Sequence, residues 1–338
     1  MGIFTNKEEI SDLLESFSGR NVLIVGDVMV DAYLFGKVDR ISPEAPVPVV
    51  TLSNRQSMLG GAANVALNIK ALGANPLLCS VIGDDTRGAE LIGIMNDNGL
   101  DTNGMYASND RITTTKFRII GNRFQMLRVD EETDSDLTAT ETKNLLERLD
   151  MLLHSRKPSV IILQDYNKGV LTAEVIDQIM KKALHAGIPV VVDPKKKNFR
   201  SFRSVTLFKP NLKEIRDALG IDINPRNEES LKTAAIKLHD MLDARQVMIT
   251  LSELGVFMSC RTNGTETSFI LPAHVRAIAD VSGAGDTVVS VAALCTALGV
   301  SPEKTAWLSN LAGGLVCEQV GVVPVDRNKL IREAQSLC

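Results

Sequence analysis

Asp280-Val281-Ser282-Gly283-Ala284-Gly285-Asp286-Thr287 runs directly into the apolar stretch Val288-Val289-Ser290-Val291-Ala292-Ala293-Leu294. Small residues followed by an apolar run predict a tight turn opening a helix. At a helix N-terminus the unpaired backbone N–H groups and the positive end of the peptide dipole favour an anion. Asp286 puts a carboxylate at that anion site. A negative side chain there weakens phosphate binding, so the use it suits is taking a proton from an attacking hydroxyl. An anion site joined to a proton acceptor points to phosphoryl transfer. Glycine-rich turns also open ordinary helices in α/β proteins, so the rest of the chain has to supply the other half of the site.

Outward from that turn, five short runs are nearly all apolar and rich in β-branched residues: Asn21-Val22-Leu23-Ile24-Val25, Pro76-Leu77-Leu78-Cys79-Ser80-Val81-Ile82, Ser159-Val160-Ile161-Ile162-Leu163, Ile188-Pro189-Val190-Val191-Val192 and Val247-Met248-Ile249-Thr250-Leu251. They read as strands buried on both faces, and their alternation with amphipathic segments is the pattern of a parallel sheet covered by helices. Leu145, Leu146, Leu149, Leu152 and Leu153 recur with helical spacing, as do Val175, Ile176, Ile179, Met180, Ala183 and Leu184. Gly73, Gly187, Gly220 and Gly299 each follow an apolar helical segment, with Pro76, Pro189, Pro225 and Pro302 shortly beyond, as helix ends require.

Two regions break this rhythm. Residues 47–52 and 113–120, with 124–129 after a Gly121-Asn122 turn, alternate polar and apolar side chains as antiparallel strands do, and they are expected to share one small sheet. The chain has no internal repeat, low-complexity tract or long linker, so this second unit is expected to be inserted rather than appended.

A chain of 338 residues, 44% hydrophobic and 23% charged, has material for a large core. Its net charge of −4 comes from 37 basic and 41 acidic residues interspersed along the sequence, which leaves neither a nucleic-acid footprint nor an acidic tail. Any anion site is therefore local. Cys79, Cys260, Cys295, Cys317 and Cys338 are odd in number and lack paired spacing, the usage of reduced thiols in a cytoplasmic protein. His154, His185, His239 and His274 lack ligand spacing and read as ordinary helix or surface residues. The N-terminal Met1-Gly2-Ile3-Phe4-Thr5-Asn6-Lys7-Glu8-Glu9 has no apolar signal core and carries Asn6 where myristoylation prefers Ser or Thr, so a short helix is expected there. The apolar stretch 288–300 is too short to span a bilayer.

Gly26-Asp27-Val28-Met29-Val30-Asp31 follows the first strand directly. Both carboxylates are thus expected at its C-terminal end, where open α/β sheets place ligands, and sugar hydroxyls are suitable partners for them. Asp27 reads equally well as a turn or cap residue. Gly60 and Gly61 allow a close approach ahead of an amphipathic helix, in which Asn64 offers a donor and an acceptor to adjacent hydroxyls or faces solvent.

The order Asp-x-Ser-Gly-Ala-Gly-Asp at 280–286 resembles one signature of the ribokinase-like (PfkB-type) carbohydrate kinases, and Gly60-Gly61-Ala62-Ala63-Asn64 resembles the other. The resemblance implies a ribokinase-like three-layer α/β/α sandwich with a mostly parallel central sheet over residues 1–338. It also implies a small β lid inserted at about 32–58 and 108–130, which covers the sugar and forms a homodimer contact. A lid suits a kinase, which must keep water from accepting the phosphoryl group. On the same basis Asp286 is the general base beside the N–H groups of Gly283, Ala284 and Gly285, and Asp31, Asp27, Gly60, Gly61 and Asn64 bind the sugar. Lys209-Pro210-Asn211-Leu212-Lys213-Glu214 resembles the family's Asn-x-x-Glu motif, implying that Asn211 and Glu214 help organise magnesium and phosphate, Glu214 through water. Thr250, Ser252 and Gly255 resemble the nucleotide-binding turn, and Asn310 matches a position near the base. ATP and Mg2+ are the implied cosubstrate and metal, and K+ is implied beside Asp280 and Ser282.

Within the family, Asp39-Arg40-Ile41-Ser42-Pro43-Glu44-Ala45-Pro46-Val47-Pro48, Asp165-Tyr166-Asn167-Lys168-Gly169 and Asp193-Pro194-Lys195 look like the kinase module that phosphorylates the anomeric hydroxyl of D-glycero-β-D-manno-heptose 7-phosphate. A substrate already bearing a phosphate needs a second cationic patch, for which Lys168 is the first candidate and the lid cluster Lys116, Arg118, Arg123 and Arg128 supplies the others, with Lys195 serving either phosphate site; solvated lid cations are the alternative. The end at Cys338, without the nucleotidyltransferase that follows the module in bifunctional members, sets the expectation of a stand-alone kinase. Another acceptor, such as fructose or a ketodeoxy acid, shares every catalytic residue. A non-catalytic nucleotide-binding regulator is disfavoured by Asp286. A dinucleotide-binding dehydrogenase and a P-loop kinase lack their glycine fingerprints.

Overall fold

The five apolar runs are all strands of one nine-stranded sheet. A computed structural model describes residues 3–262, 264–274 and 276–338; Met1 and Gly2, part of the N-terminal reading above, lie outside them. The chain opens with helix α1 (Lys7–Glu15), whose first turn is capped by the Asn6 carboxamide. It continues through β1 (Asn21–Gly26), β2 (Val28–Ile41), β3 (Pro48–Gly61), α2 (Ala62–Ala71), β4 (Asn75–Gly83), α3 (Thr86–Asp97), β5 (Met105–Ser108), β6 (Thr115–Gly121) and β7 (Phe124–Glu131). Next come α4 (Ala139–Arg156), β8 (Val160–Gln164), α5 (Ala173–Ala186), β9 (Val190–Asp193), β10 (Leu207–Phe208), α6 (Leu212–Leu219), α7 (Glu228–Leu242) and β11 (Gln246–Thr250). The last elements are β12 (Val256–Thr262), β13 (Thr265–Leu271), α8 (Ala284–Ala297), α9 (Pro302–Val316) and α10 (Arg327–Ser336).

The large sheet has the order β13-β12-β11-β10-β9-β8-β1-β4-β5, parallel from β5 to β11 and antiparallel across β12 and β13. Alternation along β1 shows why its strands are apolar throughout. Val22 and Ile24 enter a core formed with α1, α2, α8 and α9, while Leu23 and Val25 enter a second core formed with α4, α5 and α7 on the opposite face. The result is a three-layer α/β/α sandwich. Among the described residues no helix is long and apolar enough to cross a membrane.

The second sheet has the order β3-β2-β6-β7. Two of its pairings are antiparallel, as the alternation predicts, but β2 and β6 run parallel, with Val30–Gly36 beside Thr115–Gly121. The cause is connectivity: α2, β4, α3 and β5 intervene before β6, and a crossover of that length permits parallel pairing where a hairpin cannot. Asp31 therefore lies within β2, paired with Met58 and Lys116, and not in a loop after β1. Gly60 and Gly61 likewise close β3 before α2 begins.

Candidate active site

Helix α8 begins after Gly283, whose φ of +80° is left-handed and whose missing side chain leaves room for the Asn64 carboxamide, 3.1 Å from where a Cβ would lie. The N–H groups of Gly283, Gly285 and Asp286 have no partner among the described residues, and Ala284 donates to Val281. One turn in, Asp286 is only 5% exposed. Its Oδ2 accepts from Asn64 Nδ2 at 2.7 Å, and its Oδ1 accepts from Tyr166 Oη at 2.7 Å and Gln164 Nε2 at 3.2 Å. Burial pushes its pKa up to about 6, with the Asn64 and Tyr166 hydrogen bonds pulling the other way. A carboxylate poised near neutrality at a helix N-terminus can exchange a proton at working pH.

Three strand ends converge on this carboxylate. Gln164 closes β8, and its amide also lies 3.2 Å from Asp193 Oδ2 at the end of β9. Asp193 pairs at 3.1 Å with Lys209, which follows β10 and is itself 3% exposed. A Cβ on Gly285 would stand 3.8 Å from the Lys209 ammonium and 3.9 Å from Asp193, so the floor beneath the α8 turn is this ion pair. Lys195 pairs with Glu214 and places its ammonium 5.5 Å from the centre of the Tyr166 ring. Burial works against the charge on Lys195, yet the nearby Asp193 and Glu214 carboxylates hold its pKa above the usual lysine value.

The sugar-side residues divide into two groups. Asp27 is buried, and its carboxylate accepts from the N–H groups of Tyr166 (2.8 Å), Lys168 (3.1 Å) and Val170 (3.0 Å). Of its two sequence readings the turn-organising one describes this geometry: Asp27 shapes the loop that carries Tyr166. Burial raises its pKa, and it raises that of neighbouring Asp165 to about 7, with the Asp27 charge adding to the effect. Asp31 instead faces Arg118, to which it is ion-paired, and a Cβ on Gly60 would collide with its carboxylate. Arg118 lies over the Tyr33 ring at 5.2 Å, and both line a cavity of about 660 Å³. The cavity is also lined by Asp280 and Ser282, in the loop that feeds α8, and by Gly321, after α9. Asn64 on α2 and Asp286 on α8 thus meet directly, and Asp31 on β2 packs against Gly60, which closes the strand leading into α2.

Residues 20–328 match the pfkB family carbohydrate kinase profile. The chain belongs to that family. It is 38% identical over 333 residues to the bifunctional protein HldE of Methylobacillus flagellatus, covering 98% of this chain and 67% of that protein. Across this and the next two such relatives, the chain spans 64–67% of their length. Among solved structures, phosphofructokinase-2 from Escherichia coli in complex with potassium superposes with a TM-score of 0.76 at 18% identity, covering 94% of this chain and 99% of that one. Arabidopsis thaliana ribokinase complexed with ribose and ATP gives a TM-score of 0.70 at 17% identity, covering 93% and 99%. These two likenesses establish the fold.

In this pfkB-family kinase several other predicted positions have partners of their own. Asn211 and Glu214 form a capping box at the start of α6, Asn211 Oδ1 accepting from the Glu214 N–H at 2.9 Å and Glu214 Oε2 accepting from the Asn211 N–H at 2.8 Å. Thr250 ends β11 and donates its N–H to Pro210, Ser252 opens a 3-10 turn, and the backbone at Gly255 packs onto the Leu271 carbonyl of β13. Asn310 on α9 donates to the Pro272 carbonyl at 2.9 Å. Asp280 accepts from the N–H groups of Ser282 and Gly321; burial opposes its ionisation, but these bonds hold its pKa below the usual range. Lys168 pairs with Glu132 at 2.7 Å, and the half-exposed Arg128 forks onto Asp130 at 2.9 and 3.0 Å.

Gln164, Tyr166, Asp193 and Lys209 are site residues to which sequence reading gives no role, although Tyr166, Asp193 and Lys209 stand inside motifs quoted above. The available signal is positional: each is a polar residue at or just beyond the C-terminal end of a buried strand.

Proposed function

We propose that this kinase transfers the γ-phosphoryl group of ATP to the anomeric hydroxyl of D-glycero-β-D-manno-heptose 7-phosphate, giving the 1,7-bisphosphate. The observation that carries the reading is the Asp286 carboxylate, buried at an N-terminus rich in free N–H groups and joined through Asn64 to the sugar side of the site. The heptose assignment rests on sequence likeness along most of the chain.

In this reading Asp286 takes the hydroxyl proton while the N–H groups of Gly283 and Gly285 stabilise charge on the transferring group, joined by that of Ala284 if it exchanges Val281 for the ligand. Asp31 orients the sugar, and Gly60 and Gly61 give it room. Lys168 and Arg118 are the candidates for the distal phosphate; each would exchange its present carboxylate, Glu132 or Asp31, for the ligand. Arg128 stands further down the same cross-strand row as Arg118. Lys195, Asn211, Thr250, Ser252, Gly255 and Asn310 form the nucleotide side.

Among the described residues no group of three or more His, Cys, Asp or Glu side chains is placed to cage a metal ion. With both Glu214 oxygens already engaged, the fit is to Mg2+ held chiefly by nucleotide phosphates, with Glu214 reaching it through water. When bound, the ion neutralises charge on the leaving phosphates. Backbone carbonyls at Asp280 and Ser282 are the proposed K+ contact. The second sheet acts as the lid, and Phe124 (74% exposed), Leu127 and Val129 on β7 give it an apolar surface suited to a homodimer contact.

The test is a panel of acceptors with ATP: heptose 7-phosphate, the unphosphorylated heptose, fructose, fructose 6-phosphate and a ketodeoxy acid. Preferred turnover of heptose 7-phosphate, with phosphorus NMR locating the new group at C1, is expected. A better kcat/KM on any other member overturns the substrate assignment.

A further inference from the structure

Asp286 has to keep one oxygen open for a proton while being buried and surrounded by donors. An ionised carboxylate offers about two lone-pair positions on each oxygen. Oδ1 has both filled, by the Tyr166 hydroxyl and the Gln164 amide, whereas Oδ2 has one filled, by Asn64. The groups facing this carboxylate from neighbouring elements are Asp193 from β9, Lys209 after β10, Tyr166 after β8 with Lys195 over its ring, and the neutral Asn64 from α2 and Gln164 from β8. On Oδ1 the Tyr166 hydroxyl makes the shorter of the two bonds, 2.7 Å against 3.2 Å for the Gln164 amide.

We infer that Tyr166 is the positioning residue of the catalytic base: its phenol, with the Gln164 amide, saturates Oδ1, fixes the carboxylate rotation, and leaves Oδ2 as the atom that receives the substrate proton. This rests on the phosphoryl-transfer reading above. The hydroxyl proton passes to Oδ2, the hydroxyl oxygen's electron pair forms the new P–O bond, and the bond to the ADP oxygen breaks with its pair staying on ADP. The Tyr166 hydrogen bond also favours the ionised base, opposing the burial that pushes it toward neutrality. The phenol stays protonated throughout, since burial and the Asp286 charge raise its own pKa.

The experiment is the pH dependence of kcat/KM from pH 5 to 9 for the wild-type protein and Tyr166→Phe, with ATP affinity and Tm measured alongside. The phenylalanine keeps the ring beneath Lys195 and removes only the donor. Its acid limb is expected to move up by about one unit, so that kcat/KM at pH 6 falls roughly fivefold further than the plateau above pH 8 does. ATP affinity stays unchanged, and Tm at neutral pH falls by only the few degrees that a one-unit rise in the pKa of a buried carboxylate entails. Gln164→Met is the second variant, with a smaller displacement of the limb in the same direction. A limb that stays in place in both variants, or a fallen plateau without displacement, overturns the inference alone. Full turnover by Asp286→Asn overturns both it and the reading on which it rests.

Discussion

Replacing Asp286 by Asn separates catalysis from stability, because the structure predicts that the two respond in opposite directions. The amide oxygen takes the Oδ1 position, where Tyr166 and Gln164 already donate, and the new NH2 then faces Asn64 Nδ2. Asn64 can turn its own carboxamide to present oxygen, since its Oδ1 holds only a long 3.5 Å contact with Asn68. The pocket therefore accepts the variant without an unpaired donor. The ionised aspartate, in contrast, carries a penalty: its pKa lies near 6 against 3.8 for the free side chain, and a displacement of about two units corresponds to roughly 3 kcal/mol. The sign follows from proton binding. A carboxylate whose folded pKa is raised binds more protons when folded, so its contribution falls as pH rises through the window from about 4 to about 6 and is fully lost above it. At pH 7.5 Asp286→Asn should therefore equal or exceed wild type in stability, by up to roughly 3 kcal/mol, with a flatter stability profile between pH 4 and 6. Its kcat should fall by about 10²–10⁴, the usual contribution of a general base. The assays are denaturant unfolding across pH and steady-state turnover with saturating ATP. Turnover within tenfold of wild type refutes the base assignment. A large loss of stability at pH 7.5 refutes the account of the buried charge.

Three further outcomes follow from the geometry. Gly60→Ala puts a methyl group against the Asp31 carboxylate and should raise the KM for the sugar at least tenfold with the KM for ATP unchanged, as steady-state kinetics in both substrates will show. Lys168→Ala should raise the KM for a phosphorylated sugar more than that for ATP; an unchanged sugar KM removes Lys168 from the distal site. Asp27→Ala strands three backbone donors of the 166–170 loop in a buried setting and should cost roughly 3 kcal/mol or more, measured as a fall in Tm of several degrees.

The parallel half of the large sheet is legible in the sequence because burial on both faces demands uninterrupted apolar runs, and β1, β4, β8, β9 and β11 all have them. Strands that escape the pattern have physical reasons to. With only Leu207 and Phe208, β10 is too short to show a period; β13 is an outer strand carrying Thr265, Glu266, Thr267 and Ser268; and β5 is a four-residue edge. The parallel pairing of β2 with β6 depends on the path taken between them, which side-chain alternation does not encode.

The site shows the same division at finer scale. The glycine turn and Asp286 are readable because turn chemistry is local, each residue declaring its use through its immediate neighbours. Gln164, Tyr166, Asp193 and Lys209 are spread over 46 residues of sequence, as their numbers give, and meet only because β8, β9 and β10 lie side by side and in parallel. Parallel strands present all their C-terminal ends at one edge, so polar residues that terminate successive apolar runs must converge whatever their separation in the chain. That converts a property of the fold into a rule for reading it: once parallel order is established, the first polar side chain after each buried run is a candidate for the site. Among its selections here are Asp27, Gln164, Asp193 and Lys209, and three of these four bear on Asp286, through Gln164 directly and through the Asp193–Lys209 pair beneath the turn. The fourth, Asp27, reaches it one step removed by fixing the backbone of Tyr166. A carboxylate with so many converging supports is held in place by the sheet itself, which is why its rotation and its ionisation are open to control by residues that need never touch the sugar.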